Sequence, residues 1–168
     1  MAEQRVQTTT VPEGLVASQV RIGQQLPELV HPITATTVVL GAMATRDWRP
    51  MHHDRDFAVQ HNGLQDIFMN TPNQAAWFDR YLSDWAGPTA RLGRLGFAMR
   101  LSVFPGDLMH ISGRVTGRDS DDAGCEWAGV ELRLSVDGQV RTEADARIAL
   151  PTVPGDNPWA RRGDRWRP

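Results

Sequence analysis

The chain reads as an α+β protein in which a long antiparallel β-sheet wraps around one central α-helix. Three observations predict this. A single strongly amphipathic stretch opens at Thr71-Pro72 and stops at Gly87-Pro88. Four long strand-like segments follow it, each separated from the next by turn residues. A length of 168 residues with 40% hydrophobic and 23% charged content suits one globular domain with a substantial core.

The elements follow in order. Residues 1–17 are polar and aperiodic, and they are expected to form a flexible lead-in to a domain spanning residues 18–151. From Ser18 to Ile33 short strand-like pieces alternate with turn residues. Thr36 to Ala42 is rich in β-branched residues and fits either a strand or the start of a helical turn. At Thr71-Pro72-Asn73-Gln74 a capping hydroxyl, a proline at the first helical position and a Gln three residues after the cap mark a helix start. Ala75, Trp77, Phe78, Tyr81, Leu82 and Trp85 then recur at helical spacing over about four turns. The strands are expected at Arg91–Phe104, Leu108–Arg118, Cys125–Val136 and Gln139–Leu150. Between them lie Pro105-Gly106-Asp107, Asp121-Asp122-Ala123-Gly124 and the two-residue hairpin signal Asp137-Gly138. Ile111, Val115, Val130, Leu132 and Leu134 supply the alternating pattern of a buried face. One helix does not hide both faces of such a sheet, so a second subunit is expected to cover or extend it. Residues 152–168, rich in Pro, Arg and Trp, read as a solvated or partner-draped extension.

Composition excludes several function classes. All 18 basic residues are Arg, so lysine Schiff-base chemistry and a phosphate-loop lysine are absent. A formal net charge of −2 gives no general attraction to nucleic acid or to an anionic membrane. No long apolar run and no basic-then-apolar leader occurs, which leads to the expectation of a soluble cytoplasmic protein. Cys125 stands alone and reads as a buried structural thiol.

The chemistry concentrates in Asp47-Trp48-Arg49-Pro50-Met51-His52-His53-Asp54. Pro50 fixes its own backbone angle and biases Arg49 toward extended geometry, which holds Asp47 and His52 together on a rigid turn. A carboxylate and an imidazole so placed can orient and activate a water. The plainer reading makes Asp47 a turn cap on the surface. A metal reading of His52, His53 and Asp54 is weaker, because adjacent residues point to opposite faces and no further His/Cys cluster completes a coordination shell; no metal and no separate cofactor is expected.

With the motif, the helix and the meander in view, the chain resembles the MaoC-like acyl dehydratases, the hot-dog-fold (R)-specific enoyl-CoA hydratases. The family motif Asp-x-Asn-Pro-x-His-x-Asp stands here with Arg49 in place of Asn. Ile22-Gly23-Gln24-Gln25-Leu26-Pro27 is similar to the family's opening, and Phe104-Pro105-Gly106-Asp107 to its strand turn. The resemblance implies that Asp47 and His52 hold a water that adds across a trans-2-enoyl-CoA thioester to give an (R)-3-hydroxyacyl-CoA. Asp47 would take and return the proton, and His52 would orient the water. CoA would be part of the substrate.

Charge developing on the thioester oxygen calls for preorganised donors. The backbone N–H groups of Asn70 and Thr71, at a helix start, fit that role, with the Asn70 amide as a rival. The family places His-Gly where this chain has Met69-Asn70. Trp77 and Phe78 are the candidate substrate-lining residues. Asp66 to Gln74 is similar to MaoC-type subunits of actinobacterial acyl-CoA and steroid side-chain degradation, which implies a homodimer or a heteromer with a second MaoC-like subunit. Two alternatives share the fold: a non-catalytic subunit that serves a partner, and a thioesterase using Asp79 or Asp84. Arg91, Arg94, Arg100 and the tail arginines are candidate, unassigned contacts for CoA phosphates.

Overall fold

The computed structural model describes residues 14–168, and most of the expected lead-in, residues 1–13, lies outside them. Leu15 and Ala17 are tied to the domain, their N–H groups donating to the carbonyls of Ala86 (2.9 Å) and Pro151 (2.8 Å). The elements are β1 (Leu29–Pro32), α1 (Ala35–Ala44), α2 (Arg55–Asn62), α3 (Thr71–Ala86), β2 (Arg91–Met99), β3 (Leu108–Ser120), β4 (Glu126–Val136) and β5 (Gln139–Leu150). The strands form one antiparallel sheet in the order β1-β3-β4-β5-β2.

Strand alternation decides which face holds the helix. Ile111, Val115, Val130, Leu132, Leu134, Ala144, Ala146 and Ile148 turn inward and meet Phe78, Tyr81 and Leu82 of α3. Gly113 lets the helix approach closely, since a Cβ there would sit 3.0–3.1 Å from Leu132, Leu26 and Tyr81. The outward residues of the strands carry paired charges: Arg114 with Glu131 (3.5 Å), Arg147 with Asp119 (2.8 Å) and Arg94 with Asp145 (4.0 Å). Of the two expected roles of a second subunit, to cover or to extend the sheet, this face does not require the first. A face of cross-strand ion pairs is stable in water, even though each exposed pair adds little energy. The tight turn between β4 and β5 follows the sequence signal, with Asp137 and Gly138 both at positive φ (50° and 75°).

The open choice over Thr36–Ala42 resolves as helix. Thr34 and Thr37 cap each other reciprocally, each hydroxyl accepting the other's backbone N–H (3.1 and 3.3 Å), which outweighs the β-branched composition. Helix α2 has no counterpart in the sequence reading; Asp54 caps it and Gly63 closes it in the left-handed region. The segment ahead of α3 is pinned to the Phe104–Asp107 turn region by the Met69 N–H bond to the Val103 carbonyl, while Ile33 exchanges backbone bonds with Gly106 and Asp107. The starts of α1 and α3 are thereby fixed to one frame.

Most of residues 152–168 are exposed, with Pro158 buried and Trp166 half-buried. They fold back on their own sheet, where Trp166 packs on Trp127 (5.1 Å between ring centroids) and covers Cys125. The Arg91 guanidinium lies against the rings of Trp166 (3.6 Å) and Trp159 (5.3 Å). No described helix is long and apolar enough to cross a membrane.

Candidate active site

Helix α1 ends in a way that presents Asp47. Arg46 takes a left-handed conformation (φ 55°), its N–H donating to the Met43 carbonyl (3.0 Å), and the Asp47 N–H donates back to the Ala42 carbonyl (2.9 Å). This pairing is a Schellman closure built with Arg in the position that usually takes Gly. It turns the chain so that Asp47 sits directly after the helix. The following residues are extended up to Pro50, which opens a single 3-10 turn, Pro50–His52. His52 thereby comes back to face Asp47.

His52 is buried, with 4% of its side chain exposed, and its Nε2 lies 3.5 Å from Asp47 Oδ2. Its Nδ1 is 2.9 Å from the Phe68 carbonyl oxygen. A carbonyl only accepts, so Nδ1 carries a hydrogen and donates it. In the neutral ring Nε2 then presents a lone pair toward a carboxylate oxygen that also only accepts. A separation of 3.5 Å is too long for a good direct bond between them. Two acceptors so placed suit the two O–H groups of one water.

Asp47 has other partners. The Asn70 amide nitrogen donates to Oδ2 (3.1 Å), and Arg49 faces Oδ1 through its backbone N–H (3.4 Å) and its guanidinium (3.8 Å). Partial burial raises the carboxyl pKa, but the Asn70 and Arg49 hydrogen bonds, the charge of Arg49 and the charge that His52 carries when its ring is protonated together hold it below its ordinary value of 3.8. Asp47 is therefore a carboxylate at neutral pH. It retains 17% of its side-chain exposure and lies in an open cleft lined by Thr45, Arg46, Trp48, Arg49, Pro50 and Pro72.

The cap of α3 is Asn70, one residue earlier than the sequence signal places it. Asn70 Oδ1 accepts the Asn73 N–H (3.3 Å), and Thr71 and Pro72 are the first helical residues. Gln74 does not close a capping box; it is fully buried and its carbonyl oxygen accepts from Thr142 (2.7 Å). Among the described residues, the backbone N–H groups of Asn70 and Thr71 find no acceptor.

The remaining candidates lie elsewhere. Phe78 is sealed in the core beside Phe97, and Trp77 packs on His31 (4.4 Å), so neither lines the cleft at Asp47. His53 is exposed and Asp54 caps α2. Asp79 is exposed, and Asp84 pairs with Arg80 on the surface of α3. Arg91, Arg94, Arg100 and Arg161 are engaged with Trp166, Asp145, Glu143 and Asp156.

Sequence reasoning missed Thr45, the Phe68 carbonyl and the contact of the Asn70 amide with Asp47. These come from positions 16 to 25 residues away along the chain, and a backbone carbonyl leaves no signal in side-chain spacing.

No family model matches the chain. It is 40% identical over 95 residues to the 3-oxo-4,17-pregnadiene-20-carboxyl-CoA hydratase beta subunit of Mycobacterium tuberculosis, covering 56% of this chain and 73% of that protein. It also superposes on a chain of the ChsH1-ChsH2 complex from M. tuberculosis with a TM-score of 0.70 and 30% identity, over 77% of this chain and 98% of that one. The chain belongs to the MaoC-like (R)-hydratase family. Its fold is the hot-dog fold, shared at 17% identity with a MaoC-like dehydratase from Rhodospirillum rubrum (TM-score 0.71; 82% of this chain, 97% of that one). In this MaoC-like protein the motif turn from Asp47 to Pro50 and the start of α3 at Pro72 line one open cleft, with His52 buried behind Asp47.

Proposed function

We propose that this chain is a hydratase subunit that adds water to a trans-2-enoyl-CoA thioester to give an (R)-3-hydroxyacyl-CoA. The observation that carries this reading is the facing of Asp47 Oδ2 and His52 Nε2, two acceptors 3.5 Å apart. A water donating one O–H to each presents its oxygen lone pair to the substrate. Asp47 takes a proton as the water oxygen bonds to C3, and the electrons of the C2=C3 bond move toward the thioester oxygen. The same proton is then delivered to C2, so that one water is consumed and Asp47 is regenerated. His52, held by Phe68, orients the water. The enolate oxygen is met by the unpaired N–H groups of Asn70 and Thr71 and by the positive end of α3. CoA is part of the substrate, and no separate cofactor is required by these steps.

A second hot-dog subunit fits the edges of the sheet. β1 is short and ends at Pro32, which blunts it, whereas β2 is a nine-residue edge with half-buried Leu95, Phe97 and Met99. The M. tuberculosis relative is a beta subunit, and the M. tuberculosis chain on which this one superposes belongs to the ChsH1-ChsH2 complex. We assign this chain the catalytic role in such a pair because it carries the assembled Asp47–His52 pair. A steroid acyl-CoA heads the substrate panel, on the strength of the relative's name.

The test is the loss of enoyl-thioester absorbance on a panel of trans-2-enoyl-CoAs, alone and with a co-expressed partner subunit, for the wild type and Asp47→Asn. Turnover that falls by about three orders of magnitude in the variant supports the assignment. Equal turnover in both, or release of free CoA thiol without hydration, overturns it.

A further inference from the structure

We propose that Asn70 is a positioning residue that aims the Asp47 carboxylate at the reacting water from the start of α3. The inference rests on the hydratase reading above for its consequence in turnover, but its geometry stands without it. Asn70 is 1% exposed, and all the polar atoms of its side chain are engaged. Oδ1 accepts the Asn73 N–H, while Nδ2 donates to Thr45 Oγ1 (2.9 Å) and Asp47 Oδ2 (3.1 Å).

The orientation of this amide is fixed by its partners. A backbone N–H only donates and a carboxylate only accepts, so reversing the amide would lose both contacts. Thr45 adds a third constraint: its hydroxyl lies 2.7 Å from the Gly41 carbonyl and donates there, which leaves a lone pair to receive the amide. One side chain therefore ties the last turn of α1, the carboxylate and the first turn of α3 into a single unit. Asn73 reinforces the joint by donating to the Thr37 carbonyl (3.2 Å), with its side chain filling the space over Gly41.

The consequence for Asp47 is directional. The amide occupies one side of Oδ2 and leaves the other to the gap in front of His52 Nε2. It also stabilises the charged carboxylate. The motif form with Asn two residues after the carboxylate would supply an amide from the turn itself. Here that position is Arg49, whose side chain is 73% exposed and 3.8 Å from Oδ1. An amide reaches the carboxylate from α3 instead. This accounts for the joint departures Arg49 and Asn70, which a sequence pattern scores as two separate losses.

Asn70→Ser separates positioning from capping, because a serine keeps the cap oxygen and lacks the amide donor. The expected result is a folded protein whose kcat falls on the order of tenfold while KM stays within about twofold. The acid limb of its kcat/KM profile moves toward neutral pH, since the carboxylate has lost a donor that favours its charged form. Thr45→Val, which unseats the same amide while keeping it, shifts the limb in the same direction by less, and serves if the serine variant does not fold.

Asp47 is titrated in parallel through its infrared carboxylate band, assigned by difference against Asp47→Asn, without any substrate. An upward move of that titration in Asn70→Ser supports the proposal even if the wild type hydrates nothing on the panel, in which case the hydratase reading alone fails. A titration that stays at the wild-type position in both variants overturns the proposal, whatever the turnover.

Discussion

Two carboxylates in this chain are treated alike by the fold and differ in what is left over. Asp47, after α1, and Asp121, in the turn ahead of β4, are both partly buried and both held below the ordinary carboxylate pKa by donors that outweigh burial. Asp121 is saturated: Oδ1 accepts from the N–H groups of Ala123 (3.0 Å) and Cys125 (2.8 Å), and Oδ2 from Trp127 Nε1 (2.9 Å). Its surroundings, Trp127, Trp166 and Arg147, form a packed clasp. Asp47 has longer contacts, faces a second acceptor and opens into a cleft. A depressed pKa marks both positions, so it does not by itself identify a site. An acceptor that the protein leaves incompletely satisfied does.

The largest effect expected from this contrast is in turnover. Asp47→Asn lowers kcat by about 10³-fold with the melting temperature nearly unchanged, whereas Asp121→Asn keeps kcat and costs about 1–3 kcal/mol in urea unfolding. Equal kcat losses in the two variants would erase the distinction.

Next comes Gly41→Ala. A Cβ there would overlap the Asn73 side-chain amide, so that amide must give up its place over Gly41 and its bond to the Thr37 carbonyl. Steady-state kinetics should show about a 10²-fold fall in kcat, beside about 1–3 kcal/mol of lost stability. A variant with only the stability loss would show that the α1–α3 joint does not set the geometry of Asp47.

Trp166→Ala probes the clasp from the other side. Unfolding is expected to become easier by about 2 kcal/mol, and labelling of Cys125 by a thiol reagent to accelerate, while kcat is preserved. Unchanged labelling would mean that the tail does not protect the thiol.

The smallest effect is in acid stability. A carboxylate whose folded pKa is depressed contributes stability that is fully present above its unfolded value, near 3.8, and is lost as pH falls through the folded value. The unfolding midpoint should hold from pH 7 to about pH 5 and decline below about pH 4. Asp121→Asn should flatten that decline more than Asp47→Asn, because Asp121 has the shorter and more numerous donors. The reverse order, measured by urea midpoints from pH 3 to 7, would contradict the geometry.

The legible parts of the molecule are those whose signals are local. The β3–β4–β5 meander could be read from alternation and from Asp137-Gly138, and its last strand has the expected bounds, Gln139–Leu150. β2 stops at Met99 rather than continuing to Phe104, because Arg100 and Leu101 both donate to the Arg141 carbonyl and the chain then leaves the sheet. Helix α1 was ambiguous because Thr36, Thr37, Val38 and Val39 are β-branched while the reciprocal cap that favours the helix lies just ahead of them. The packing of Trp166 at the C-terminal tail was not legible because Arg91 and Trp127, on which it rests, lie far from it along the chain.

The sequence by itself determined the period-2 strands, the one long amphipathic helix and the motif turn that sets Asp47 near His52. Each of these depends on residues within a few positions of one another, where backbone geometry fixes the outcome. Only the tertiary structure decided which acceptors those two side chains face, that Phe68 fixes the imidazole tautomer, and that an amide from α3 holds the carboxylate. Those are relations between side chains many positions apart, and they exist only after the sheet has closed around α3 and brought the ends of α1 and α3 together.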